Sequence, residues 1–169
     1  MRRLLAALLF VLGTAFPAWA DDWTTFTDAS GTFSLSVPQA PAYSSVSITR
    51  PDGRTVASAR YMIEKPSVAM LAMVGDFTGM GVDPEKAVDQ AVAGTQSEGR
   101  TLLSNTAVTI DGHEGRDIKL TDPDGNALAD RLFFFNDHLY QIITVAKPAA
   151  SQDEFGDIAR FAGSLHFLR

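Results

Sequence analysis

The residues of this 169-residue chain that could do chemistry are three histidines, a run of methionines and several Asp- and Gly-rich turns. His113-Glu114 begins like a zinc-protease signature, but Asp117 stands where the second histidine is required. The pair also falls in a strand pattern, whereas that zinc geometry needs two histidines one helical turn apart. Gly94-Thr95-Gln96-Ser97-Glu98-Gly99 misplaces the first glycine of a nucleophile elbow and reads as a helix stop. Gly79-Met80-Gly81 meets Pro84 where a dinucleotide loop needs glycine. Asp122-Pro123-Asp124-Gly125-Asn126 has the alternating oxygens of a calcium loop, yet Ala127 replaces the turn glycine and Phe133 the bidentate glutamate. Pro-Asp-Gly alone makes that segment a turn.

Met62, Met70, Met73 and Met80 could supply thioethers to a copper(I) site. On a strand, Met70 and Met73 point to opposite faces, so core filling accounts for them better. His113, His138 and His166 lie on separate strand patterns. There is no cysteine, which removes thiol catalysis, redox exchange and thiolate metal sites. No cofactor is expected.

The chain opens with Met1-Arg2-Arg3, an apolar run from Leu4 to Phe16, and Ala18-Trp19-Ala20. Those are the three parts of a secretory signal peptide, too short in its apolar run to span a bilayer. Residues 1–20 are expected to be cleaved, and residues 21–169 to form a single α+β domain in the periplasm or outside the cell, with no membrane anchor. The leader carries two of the 14 basic residues and none of the 20 acidic ones, so the mature net charge is −8. Phosphate backbones demand a basic footprint, so nucleic acid is not an expected partner.

Strand and hairpin signals dominate the mature chain. Phe33 to Val37 alternates apolar and polar up to Pro38. A short strand is expected over Val46 to Thr49. Val56 to Glu64 and Val68 to Asp76 form the next pair; the second is apolar on both faces, as in a central strand covered on two sides. Asp83-Pro84-Glu85 opens a helix with an Asp cap and Pro in its first turn. Asp111-Gly112, Pro123-Asp124-Gly125 and Asn136-Asp137 then separate four strands. Ser151 to Glu154 is a capping box for a second helix, and Leu165 to Phe167 a last short strand. Tight hairpins pair strands antiparallel. The expectation is an antiparallel sheet of six to eight strands flanked by two main helices, an α/β/α-type sandwich.

Closing these turns sets Asp117 opposite Arg131, Phe133 opposite Tyr140 and Phe135 opposite His138. One face of the meander carries Asp117, Arg131, Phe133, His138 and Tyr140. The other carries Ile118, Leu120, Leu128, Leu132, Phe134 and Leu139, a core composition. The first face suits two descriptions. A helix or the amino-terminal segment covers its aromatics, with Arg131 and Asp117 a plain ion pair, or it is a docking surface for a protein partner.

Four segments match a known layout: Gly31-Thr32-Phe33-Ser34-Leu35-Ser36-Val37-Pro38, Ile110-Asp111-Gly112-His113-Glu114-Gly115, Arg131 through Tyr140, and Phe161-Ala162-Gly163-Ser164-Leu165-His166-Phe167. The chain resembles the fold shared by the PsbP extrinsic proteins of photosystem II, the Mog-type nuclear import factors and their exported bacterial relatives. Leu165 stands where relatives usually have Phe. The resemblance implies a sheet sandwiched by helices and a role in binding or assembly. PsbP-type proteins assist a metal centre and Mog-type proteins bind a small GTPase, but neither set of functional residues maps onto this chain. The expected function is therefore a non-catalytic accessory or binding protein, with Asp117, Arg131, Phe133, His138 and Tyr140 as the partner surface. Two alternatives stand beside it: an enzyme with a site in a groove between sheet and helix, and a copper-handling protein.

Overall fold

The computed structural model describes residues 22–50, 53–97 and 99–168. The expected leader, residues 1–20, lies outside the described residues, as do Pro51 and Asp52 of the turn after Arg50. In chain order the strands are β1 (Thr24–Thr27), β2 (Phe33–Val37), β3 (Ala42–Thr49), β4 (Thr55–Glu64) and β5 (Val68–Asp76). Helix α1 (Pro84–Thr95) precedes β6 (Thr101–Ile110), β7 (His113–Thr121), β8 (Ala127–Phe135) and β9 (His138–Ala146). Helix α2 (Gln152–Gly163) and β10 (His166–Phe167) close the chain.

Among the described residues, seven strands form one antiparallel sheet in the order β3-β4-β5-β9-β8-β7-β6. The hairpin chemistry explains this order. Asp111 and Gly112 hold φ of 49° and 83°, and Asn136 and Asp137 hold 50° and 58°. Asn, Asp and Gly tolerate that left-handed backbone best, and two such residues in succession join strands whose twist continues through the turn. The resulting registers are the expected ones: Asp117 opposite Arg131, Phe133 opposite Tyr140, Phe135 opposite His138.

β1, β2 and β10 leave the long sheet and make a three-stranded sheet of their own. The Asp111 carboxylate helps to hold it, accepting the Phe167 backbone N–H at 2.8 Å from the β6–β7 turn. This small sheet and α2 lie on one side of the long sheet. They bury Phe33, Leu35, Phe161 and Phe167 with Phe133, Tyr140 and Ile142 in the larger of two apolar clusters. On the other side, α1 seats Val88 and Val92 on Ile118, Leu120 and Leu132 in the smaller cluster.

The two helices begin as the sequence dictates. The Asp83 carboxylate accepts from the N–H groups of Glu85 and Lys86, and Ser151 and Glu154 make both bonds of the capping box. Their lateral placement differs from a symmetric sandwich. α1 packs on β8 and β7, while α2 packs on β2, β5 and β9. β5 is therefore not covered on both sides: Met70 and Ala72 are buried beneath α2, but Leu71 and Met73 on the opposite face are only half-buried. β3 is also longer than expected, starting at Ala42. A register shift between Leu102 and Ser104 lets β6 continue past an irregularity that breaks its pattern.

Candidate functional site

Asp117, Arg131, Phe133, His138 and Tyr140 do not form an exposed surface. Phe133 is 0% and Tyr140 3% exposed, because the small sheet and α2 close over that side of β8 and β9. Burial raises the Tyr140 hydroxyl above its ordinary value, opposed by a hydrogen bond with Thr32 and reinforced by the Asp28 charge. Arg131 does pair with Asp117, Nε to Oδ2 at 3.0 Å, and its Nη1 donates to the Ala162 carbonyl at 2.7 Å. That carbonyl belongs to the last turn of α2, where the helix leaves its own acceptors unpaired. The guanidinium is thus a clasp between helix and sheet. His138, half-buried, places Nδ1 2.6 Å from the Asn136 carbonyl oxygen and Nε2 3.8 Å from Asp76 Oδ1. The first of the two descriptions of this face is the one that holds for Phe133 and Tyr140.

The opposite face carries the site. Because α1 sits on β7 and β8 and stops short of β9, an open groove of about 860 Å³ runs between its flank and that face of β8 and β9. The helix sequence opens this space. Val88 and Val92 sit on the smaller cluster with Ala91 at its margin, and Ala87, Ala91 and Gly94, one or two turns apart, line the groove with little or no side chain. The sheet wall opposite is Leu128, Leu139, Ile143 and Val145. Phe77 lines the groove too, packed edge-on against Phe134 at 5.7 Å, with the Arg50 guanidinium 5.5 Å from its ring centre. Arg50 and Arg100 line it as well. Its β9 lining runs from Leu139 to Val145, roughly 20 Å at strand rise.

Midway along this apolar wall are two polar side chains, Asp130 and Gln141. Asp130 is 3% exposed. Its Oδ2 accepts from Gln141 Nε2 at 2.9 Å, and its Oδ1, equally buried, has no hydrogen-bond partner. Taking a carboxylate out of water disfavours its charge. Burial accordingly pushes the Asp130 carboxyl up to about 7, against the opposing Gln141 hydrogen bond and with a further push from the Asp117 charge. Near neutral pH about half the molecules therefore present a carboxylic acid, whose O–H lies at the oxygen that Gln141 leaves unused. Buried polar atoms are almost always paired, and Oδ1 is an exception, sealed from the groove that the residue lines.

A smaller pocket of about 430 Å³ lies at the start of α1, between Glu85, Asp89, Glu114 and Arg116. It is charged and open, with no buried polar group directed into it among the described residues. Among the described residues no three His, Asp or Glu side chains converge.

Sequence reasoning passed over Asp130 and Gln141, although the signal was present. Leu128, Asp130, Leu132 and Leu139, Gln141, Ile143 follow the two-residue period of one strand face, and only these two positions are polar. A polar residue interrupting an apolar face on two neighbouring strands marks a spot where the face is not simply core.

No family model matches the chain, and no curated protein matches it. Among solved structures, it is similar to cyanobacterial PsbP from Synechocystis sp. PCC 6803, with a TM-score of 0.56 and 12% identity over 93% of this chain and 99% of that one. A Pseudomonas aeruginosa protein of unknown function, described as a putative regulator, aligns at 15% identity and a TM-score of 0.40 over 75% of this chain and 84% of that one. The architecture is therefore a PsbP-like α+β fold.

Proposed function

We propose that this chain is an exported, non-catalytic binding protein and that its site is the groove under α1, which holds a small apolar molecule. One observation carries the reading: a groove with apolar walls, of the volume small-molecule sites usually have, is lined by the hydrogen-bonded Asp130–Gln141 pair. Such sites combine a mostly apolar lining with a few converging polar groups that fix orientation. Asp130 and Gln141 are that pair. The leader-like amino terminus supports export, and the failure of each catalytic motif supports binding over turnover.

Ala91→Trp tests the site. Ala91 lines the groove from α1 and packs at the margin of the smaller cluster, so an indole there fills the groove at some cost in stability. Solvent extraction of the protein purified from its native envelope, followed by mass spectrometry, is expected to release a lipophilic compound from the wild type in near-stoichiometric yield. The Trp variant should keep the wild-type far-UV circular dichroism and lose at least nine-tenths of the compound. Equal recovery from both would place the binding elsewhere, and no compound from either would remove the reading.

A second reading, contact with a protein partner, is favoured by β6. This ten-residue strand is an edge of the long sheet, has no charged side chain, and leaves Leu103 61% and Leu102 37% exposed. Unpaired edges can accept a strand from another chain. The groove and this edge are separable, since Ala91→Trp leaves β6 untouched.

A further inference from the structure

We propose that two copies of this chain join through β3, antiparallel about a twofold axis at Val46, so that the long sheet runs on from one copy into the other. The inference is independent of the groove. β3 is an outer strand of the long sheet, paired with β4 on one side and, among the described residues, with no strand on the other. Proteins usually blunt such an edge with a charge, a proline, a bulge or a cover. β3 has none of these. Residues Ala42-Tyr43-Ser44-Ser45-Val46-Ser47-Ile48-Thr49 carry no charge and no proline. Their pairing with β4 runs from Ala42–Met62 to Thr49–Thr55 without a register shift. Only Val46 is half-buried and the other seven residues are exposed, so neither face is covered. β6, the opposite edge, carries the register shift between Leu102 and Ser104.

The strand fits a second copy of itself. A twofold contact sets it against its own sequence run backwards. Opposed residues of antiparallel strands share a face, so the axis passes through a residue and not between two. About Val46, Tyr43 meets Thr49 of the second copy, Ser44 meets Ile48, Ser45 meets Ser47, and Val46 meets Val46. The two exposed large side chains, Tyr43 and Ile48, thus each face a smaller one. Aromatic and β-branched pairs of this kind stabilise neighbouring strands. Charge favours the same occupant. A twofold contact opposes like charges wherever a strand carries them, and β3 carries none although 20% of the chain is charged. To a different protein it offers no charge by which to be recognised. Repulsion between two acidic copies is screened beyond about 8 Å at physiological salt. The shared strand is only about 26 Å long. Such a contact lies at the small end of specific interfaces, and the dimer should dissociate in the micromolar range.

Sedimentation velocity tests this on the purified protein at about 0.15 M salt, from about 1 µM to about 500 µM. The expected result is passage from monomer to dimer and no further. Ser45→Lys with Ser47→Lys sets lysines opposite one another and should weaken the dimer at least about tenfold. Ser45→Glu with Ser47→Glu should do the same, and an equimolar mixture of the two variants should dimerise again. The chain has no cysteine, so Val46→Cys should give an oxidised dimer across the axis. Ser44→Cys should not, because the two sulfurs would stand about 13 Å apart along the strands.

The concentration series and the Val46→Cys cross-link stand even if a charged variant folds poorly. A monomer at every concentration would overturn the inference. So would a dimer that the lysine pair leaves intact, or a mixture that stays monomeric. A dimer broken by Thr106→Lys on β6 in place of the β3 changes would move the contact to the other edge and overturn it too. Growth beyond the dimer would mean that β3 adds to β6 of the next copy, an open assembly in place of the twofold one. Ala91→Trp should leave the dimer unchanged, which keeps this result apart from the groove.

Discussion

Asp130→Asn is expected to stabilise the chain by about 4 kcal/mol near pH 8, an upper bound, and by progressively less as the pH falls. The unfolded carboxyl titrates at 3.8 and the folded one at about 7. Between those values the folded chain keeps a proton that the unfolded chain has released. Wild-type stability therefore falls as pH rises through the window, by at most about 1.4 kcal/mol per unit, and levels off above the folded value. Asn offers the neutral shape throughout, with an amide oxygen to accept from Gln141. Urea unfolding from about pH 5 to about pH 8 should show the wild type losing about 3 kcal/mol that the variant keeps. Parallel curves for the two would contradict a buried, uncompensated carboxyl.

Asp28 contributes with the opposite sign. Burial pushes its carboxyl up, but hydrogen bonds from the Ser30 hydroxyl and from the N–H groups of Phe33, Thr32 and Ser30 outweigh that and hold it below 3.8. Its contribution is present above the unfolded value and is lost as pH falls through the folded one. The two carboxyls together set a stability maximum in mildly acidic solution.

Gly115→Ala is the second large effect, a loss of about 3 kcal/mol or more. Gly115 lies on β7 opposite Phe133. A Cβ there would stand 2.3 Å from the Leu132 carbonyl oxygen and 2.5 Å from Phe133 Cδ1. Neither neighbour can retreat. The carbonyl belongs to the β8 backbone, and the Phe133 ring is 0% exposed and held edge-on by Phe167 at 5.0 Å. The ring occupies the space that the missing side chain leaves, which is why the strand tolerates glycine here. Thermal and urea unfolding would measure the loss. Adding Phe133→Leu to Gly115→Ala should recover part of it, a coupling expected only if the two positions share the space. An alanine variant within about 0.5 kcal/mol of wild type would show that the ring is not packed as described.

Much of this architecture was legible because it is local. Asp111-Gly112 and Asn136-Asp137 specify left-handed turn residues. Once such a turn closes, every pairing along the hairpin follows by counting, and so Asp117 met Arg131 as expected. The helix starts were equally local, each written in a cap. What the sequence left open was lateral position. Phe133 and Tyr140 on one face and Leu132 and Leu139 on the other are all apolar enough to be covered. Which cover lies where depends on β2, α1 and α2, distant in the chain. The separation of β1, β2 and β10 into a small sheet decided it: they took the aromatic face and left α1 alone on the other. The groove follows from that asymmetry and from the small residues Ala87, Ala91 and Gly94. Asp130 became visible as a site only when the helix beside it was seen to stop short of β9.

The claim on which the account turns is that burial beside the α1 groove keeps the Asp130 carboxyl protonated well above the ordinary carboxylate range. Carbon-13 NMR of the Asp130 carboxyl carbon, titrated with pH, reads it directly. The account predicts a midpoint near 7. A midpoint at the ordinary 3.8 would contradict it.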